Sequence, residues 1–469
     1  NRYQSLIFPV TLDEYISEDN PVRVIDVFVV ELDLARLGFE LIPADTGRPA
    51  YHPAIMLKLY IYGYLNRIQS SRRLEKETQR NVEMMWLTER LMPDHKTIAN
   101  FRKDNGASIR KASSQFIVLC RQLNLFTQSI VAIDGSKFHG VNSRSRNFTR
   151  AKLKKRMERI EKNLKQYFAE LDLADQEDLK IHAIDTDKLK DKIAALKGRM
   201  AELKVLEEKI QELPDKQISL TDPEARSMRS NPESAGVIGY NVQSAVDIEH
   251  HLIVAHEVNN IGIDRAQLFN MAMKAKTALD AEDLTALADR GYYSGDQLLA
   301  CEQAGIVTYV PKTNTSGARA DGRFDRSDFR YIPEDDQYEC PAGKRLIKHM
   351  STNEKGRIMY RYWRSDCPQC PLKPQCTPGK ERRVARWEHE SVIDAAEARL
   401  QKAPEMMTVR KSTAEHPFGT IKSWMGSTHF LMKGLENVST EMSLHVLAYN
   451  LKRVMSIMGI KPLIQAMQA

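Results

Sequence analysis

The sequence predicts a mixed α/β chain: an α/β layer core preceded by an all-helical segment and interrupted by two insertions. Three observations carry this. Short apolar runs at residues 129–133, where β-branching adds to the signal, and at 284–288 each stop at an acid, as strands between helices do. An apolar repeat in steps of four and three runs from Leu153 to Leu213, the pattern of a coiled-coil hairpin. Four of the six cysteines, Cys340, Cys367, Cys370 and Cys376, are crowded into one polar segment. The limits drawn from these are a helical domain over 1–125, the first part of the core over 126–150 and 215–312, the helical hairpin over 151–214, the cysteine-rich insertion over 313–395, and the last part of the core with C-terminal helices over 396–469.

At 469 residues, with 42% hydrophobic and 28% charged residues, the chain can bury a sizeable core. Its first residues, NRYQSLIFPVTLDEY, carry neither a basic n-region nor a long apolar stretch, and nowhere do eighteen uncharged apolar residues run together. Neither a secretory signal nor a membrane span is expected, which points to the cytoplasm. The net charge of +7 is modest, but the cations cluster near residue 75, at 143–159 and at 380–386. Clusters of this kind fit a polyanion such as nucleic acid; a solvated charged face is the plainer alternative.

In order along the chain, PAIMLKLYIYGYL (53–65) has helical apolar spacing and SRRLEKETQRNVEMMWL (71–87) is amphipathic with a basic face. PDHKTIANFRKDN (93–105) opens with turn residues and continues as a short helix bearing Lys96, Arg102 and Lys103. These helices suit a helix-turn-helix DNA-binding unit, with a plain helical bundle as the alternative. The strand at 129–133 follows and ends at Asp134. The hairpin helices meet through the polar, acidic stretch 172–187, and Pro214 stops the second; a spacer, a dimer contact or a DNA-contacting arm are its readings. GVIGYNVQSAVD (236–247) and HHLIVAHEVNN (250–260) form an antiparallel pair around the turn DIEHH. A helix over 264–279, the strand ending at Asp289, a helix closed by Gly305 and a last strand, IVTYVPK, complete the layer.

Asp134 in AIDGSK and Asp289 in ALADRGYYSG end two strands alike. If those strands are parallel neighbours their carboxylates lie side by side, where open α/β sheets take ligands. Two such charges need a cation between them, and Mg²⁺ (or Mn²⁺), oxygen-loving and suited in pairs to phosphoryl transfer, is the natural one. A second ion requires a third acid. Glu415 in KSTAEHPFGTIKSW is the best candidate: Lys422 lies seven positions on, two helical turns, so carboxylate and ammonium would share a face. Pro417 places Glu415 before a helix start or at a kink. Cys120 and Cys301 read as inert core thiols. The other four cysteines read as a structural Zn²⁺ site, an iron–sulfur cluster being the alternative, and a closed site of four thiolates has no open position for catalysis. The segment looks too short and too polar to build a core of its own, and Arg382, Arg383 and Arg386 beside it could touch DNA.

AIDGSK, ADRGYYSG and EHPFGTIK in that order, with PDHKTIANFRK before them, TDPEARSMRS ahead of GYNVQSAVD and the cysteines after the last strand, resemble the DDE transposases of bacterial insertion sequences. The similarity extends through nearly the whole chain. It implies a ribonuclease H-like catalytic core carrying Asp134, Asp289 and Glu415 with two divalent ions, and an N-terminal helical domain gripping double-stranded transposon-end DNA. That group usually joins a Tyr, an Arg, the Glu and the Lys in one motif; here Thr408 stands at the tyrosine position and Lys411 at the arginine position, with Arg410 adjacent. By this reading water activated at the ions cleaves the transposon end, and the freed 3′-hydroxyl is then joined to target DNA. Lys422, Lys411, Arg410 and Lys137 contact phosphates, and a homodimer brings two ends together. Tyr292 and Tyr293 are candidates for base stacking or sheet packing, and His416 for the leaving group or a neighbour's hydrogen bond. A related nuclease or domesticated recombinase, and a non-catalytic DNA-binding protein, are the competing readings.

Overall fold

The structure is a computed structural model and describes residues 11–41, 50–126, 129–176, 186–213, 215–228, 236–313 and 317–469. Among the described residues six strands form the core sheet: a short one, Arg226–Met228, paired with the start of Val237–Asp247, and five that carry the layer, Ile130–His139, Val237–Asp247, Ile253–Asn259, Leu284–Ala288 and Ile306–Tyr309, called here the first to fifth core strands. Their spatial order is third, second, first, fourth, fifth. The first three are antiparallel; the fourth and fifth run parallel to the first. This mixed order fits the ribonuclease H-like core that the resemblance implies. The turn between the second and third strands forms where Asp247 Oδ2 accepts the N–H groups of Glu249 (3.1 Å) and His250 (2.6 Å), local bonds that an aspartate offers a turn. Parallel return to the fourth strand needs a crossover, supplied by the helix Leu268–Leu279.

One expectation about the first strand is corrected. It does not stop at Ile133 but continues through Asp134 to His139. Gly135–His139 remain paired with Gly239–Gln243 on the antiparallel side, while pairing with the fourth strand ends at Ile133 and Ala288. Asp134 therefore lies where the sheet loses a neighbour on one side only.

The N-terminal helices and the end of the chain share one core. Leu435–Met458 is buried along most of its length and packs between Pro53–Leu65 and Gly106–Gln122, in a cluster that also takes in Phe138, Tyr240 and Val246 of the sheet. Lys96 and Lys103, on the Asp94-capped helix His95–Asp104, are exposed as expected. Arg102 is not: it is 7% exposed, its Nη1 donates to the Tyr64 hydroxyl at 2.7 Å, and its guanidinium lies over the Tyr60 ring. The sequence reading of Arg102 as a DNA contact is thereby corrected, because its stem and charge are used inside the helical core.

The hairpin helices Arg150–Gln176 and Thr186–Glu212 pack on each other through Leu153, Met157, Ile160 and Leu164 against Leu196, Met200, Leu203, Leu206 and Ile210. A two-stranded ladder, Asn147–Thr149 with Gln217–Ser219, ties their base. Most of the polar turn expected at 172–187, and Pro214, lie outside the described residues. The cysteine-rich insertion departs from expectation. It carries its own antiparallel sheet of Arg330–Ile332, Gln337–Glu339, Arg345–Glu354, Arg357–Trp363 and Val384–Trp387. Phe329, Tyr338, Leu346, Tyr362 and Val384 form a small core under it, with Cys340 and Cys376 packed alongside. After it, Glu390–Lys402 packs on the helix Gly295–Gln303 and the fifth core strand, and Met406–Gly419 follows it along the chain. Among the described residues no helix is long and apolar enough to cross a membrane.

Candidate active site

Ile133 and Ala288 are the last paired residues of the first and fourth core strands, so Asp134 and Asp289 follow as neighbours at the carboxyl end of the parallel pair. Beyond them the chains diverge. The first strand goes on beside the second, with Asp134 opposite Ser244, whereas Asp289 caps the turn Arg290–Tyr292 by accepting the Gly291 N–H at 2.8 Å. The resulting crevice has one carboxylate on each wall.

The helix Met406–Gly419 packs across both strands and brings Arg410 to the crevice. Arg410 Nη2 lies 2.9 Å from Asp134 Oδ1, the oxygen that also accepts the Gly135 N–H at 2.9 Å. Of the two adjacent cations in the motif, Arg410 faces the acid and Lys411 is exposed. Glu415 lies on the same helix with its side chain exposed. The helix does not start at Pro417 but runs through it, and passes into a π turn over Thr420–Trp424. That wider turn changes the two-turn reckoning from Glu415 to Lys422. Lys422 Nζ instead reaches back to the first strand, donating to Ser136 Oγ at 2.7 Å and to the Lys137 carbonyl at 2.9 Å above the Phe138 ring. The Lys137 side chain is half-buried.

His416 turns away from the acids: its Nδ1 meets the Tyr449 hydroxyl at 2.9 Å and its ring packs edge-on against His251. Tyr292 is 1% exposed and donates its hydroxyl to Gln243 Oε1, so it packs within the sheet and presents no face to a base. Tyr293 is half-buried.

Burial pushes the Asp134 carboxyl up to about 6; Arg410 and the Gly135 N–H oppose this, while Asp289 and Asp264 add to it. Burial lowers the Lys422 ammonium, and the Asp134 charge partly restores it. Asp264 was not singled out as a site residue from sequence. It accepts the side-chain amides of Asn241 (2.7 Å) and Gln243 (2.6 Å) on its Oδ1. The available signal was the pair of amides at alternate positions of the otherwise apolar second strand, which places both on one face.

Among the described residues no group of three or more His, Cys, Asp or Glu is closed up as a ready-made metal site. The donors nonetheless suit a hard divalent cation. Asp134 and Asp289 offer oxygens side by side, their mutual repulsion raises the proton affinity of Asp134, and Ser244 across the sheet buries its Oγ without a hydrogen-bond partner. The four cysteines of the insertion are free thiols lining one cavity of about 340 Å³, and each of the other three charges bears on Cys376. That donor set is soft and suits zinc.

Residues 10–104 match the model of a transposase domain family (DUF772), and residues 339–455 match a transposase DDE domain. Among solved structures, a piggyBac transposase synaptic complex with hairpin DNA aligns over 96% of this chain and 79% of that one, with 8% identity and a TM-score of 0.35, too slight a likeness to establish a shared fold. No curated protein matches the chain.

Proposed function

We propose that this chain, whose residues 10–104 match a transposase domain and whose residues 339–455 match a transposase DDE domain, is a DDE transposase in which Asp134, Asp289 and Glu415 form the acidic site that cuts and joins DNA. The observation that carries this is the placement of Asp134 and Asp289 at the diverging ends of adjacent parallel strands, with the Glu415 helix packed across both. Divalent ions bound there would activate the attacking water and stabilise the leaving oxygen. Asp134 and Asp289 hold oxygens toward the crevice, and Glu415 closes it from the helix once DNA is bound. Lys422, anchored beside Ser136, presents its ammonium next to the acids, where a scissile phosphate sits. Arg410 has two partners available, Asp134 in the free protein and a phosphate in the complex. Lys411, and Lys96 and Lys103 on the exposed face of their helix, contact flanking backbone.

The four thiols of the insertion hold one zinc ion that fixes its small sheet and takes no part in the chemistry. Two ends are handled by two copies of the chain. Incubating the protein with end-labelled DNA bearing the element's terminal repeats and Mg²⁺, then mapping nicks and joined products, tests the reading. Asp134→Asn should bind the ends yet neither cut nor join them, because a neutral amide holds a cation poorly; undiminished nicking by that variant would overturn the assignment.

A further inference from the structure

Directly behind the crevice the second core strand carries a hydrogen-bonded chain that touches both of its walls. Gln243 is fully buried, and its amide is used at each end: Nε2 donates to Asp264 Oδ1 at 2.6 Å, and Oε1 accepts the hydroxyl of Tyr292. Asn241 steadies the same Asp264 oxygen at 2.7 Å while also donating to the Ile261 carbonyl at 3.0 Å. Gln243 pairs across the sheet with Gly135, the residue after Asp134, and Tyr292 lies in the turn that Asp289 caps. Glycine at 135 leaves the room for this. A Cβ there would come within 2.9 Å of Asp264 Oδ1 and closer still to the Gln243 amide.

A buried polar chain of this kind adds less stability than well-packed apolar side chains would, but it fixes orientation. We propose that Gln243, Asp264 and Tyr292 are positioning residues that set the separation of Asp134 and Asp289 by bracing the backbone after one against the turn after the other. The inference rests on the reading of those two aspartates as cation ligands. Mg²⁺ tolerates little departure from octahedral geometry, so the brace matters most for that ion.

The test uses the full chain and Mn²⁺ as probe, with free Mn²⁺ followed by electron paramagnetic resonance at a temperature where each variant is folded. Tyr292→Phe and Asp264→Asn should each weaken Mn²⁺ binding roughly 10-fold, as loss of a partner behind a metal ligand does. Their affinity for end DNA should be unchanged, and cleavage should fall further in Mg²⁺ than in Mn²⁺. Asp134→Asn should lose Mn²⁺ altogether. If Tyr292→Phe and Asp264→Asn bind Mn²⁺ like the unmodified chain while Asp134→Asn does not, the brace is mere packing and the proposal fails. If Asp134→Asn also binds normally, the cation reading itself falls.

Discussion

Asp134 shares one oxygen between a guanidinium and a backbone N–H, but it is largely buried, and the charges of Asp289 and Asp264 lie near it. Because its folded-state value of about 6 lies above the ordinary 3.8, the protonated form is favoured in the fold. Its contribution to stability is complete below about pH 3.8 and is lost as pH rises through about 6. In the absence of divalent ions, Asp134→Asn should therefore raise the melting temperature relative to the unmodified chain at pH 7.5, and the gain should vanish by pH 4. Binding of Mn²⁺ should weaken as pH falls through the same window, since proton and cation compete for one carboxylate. Arg102 supports a contrasting prediction. Replacing it with Leu leaves the fully buried Glu441 carboxylate without its nearest cationic compensation, at a cost of roughly 3–5 kcal/mol in urea unfolding. Lys103→Ala should be nearly neutral in stability but reduce the salt dependence of DNA binding by about one ion. The two aspartates could be read from sequence because an acid at the end of a short apolar run is a local signal. Arg102 could not, since the phenol of Tyr64 and the carboxylate of Glu441 that draw it inward belong to other helices.

At the scale of elements, legibility followed the range of the contacts. The helical hairpin was written in its heptads, because each apolar position recurs within one helix and needs only its partner. The sheet of the insertion was hidden. Three of its strands are only three or four residues long, and the first strand of its long hairpin, RLIKHMSTNE, is almost wholly exposed and shows no regular apolar alternation. The fate of the helix at Pro417 was hidden too, since the π turn that follows is held in place by Lys422 reaching the first strand. Cys367→Ser should lower bound zinc from one per chain toward none, measured by elemental analysis. Hydrogen exchange should then rise over residues 324–387 and remain unchanged in the core strands; equal exchange in both forms would remove zinc from the account. Excising 151–212 with a short linker should shift the melting temperature by only a few degrees, because the hairpin buries its apolar residues in a cluster of its own.

For the molecule as a whole, the limit drawn at residue 125 marks a change of secondary structure rather than an independent fold. Helices near the start of the chain surround Leu435–Met458, so a fragment of residues 1–125 should show little cooperative melting alone, and adding the C-terminal helix in trans should restore part of it. A sharp, two-state transition of the isolated fragment would contradict this. The same arrangement bears on how the protein is made. The helix that completes the N-terminal core leaves the ribosome about three hundred residues after the helices that await it. At roughly 5–20 residues per second the nascent chain waits on the order of tens of seconds with that greasy surface uncovered.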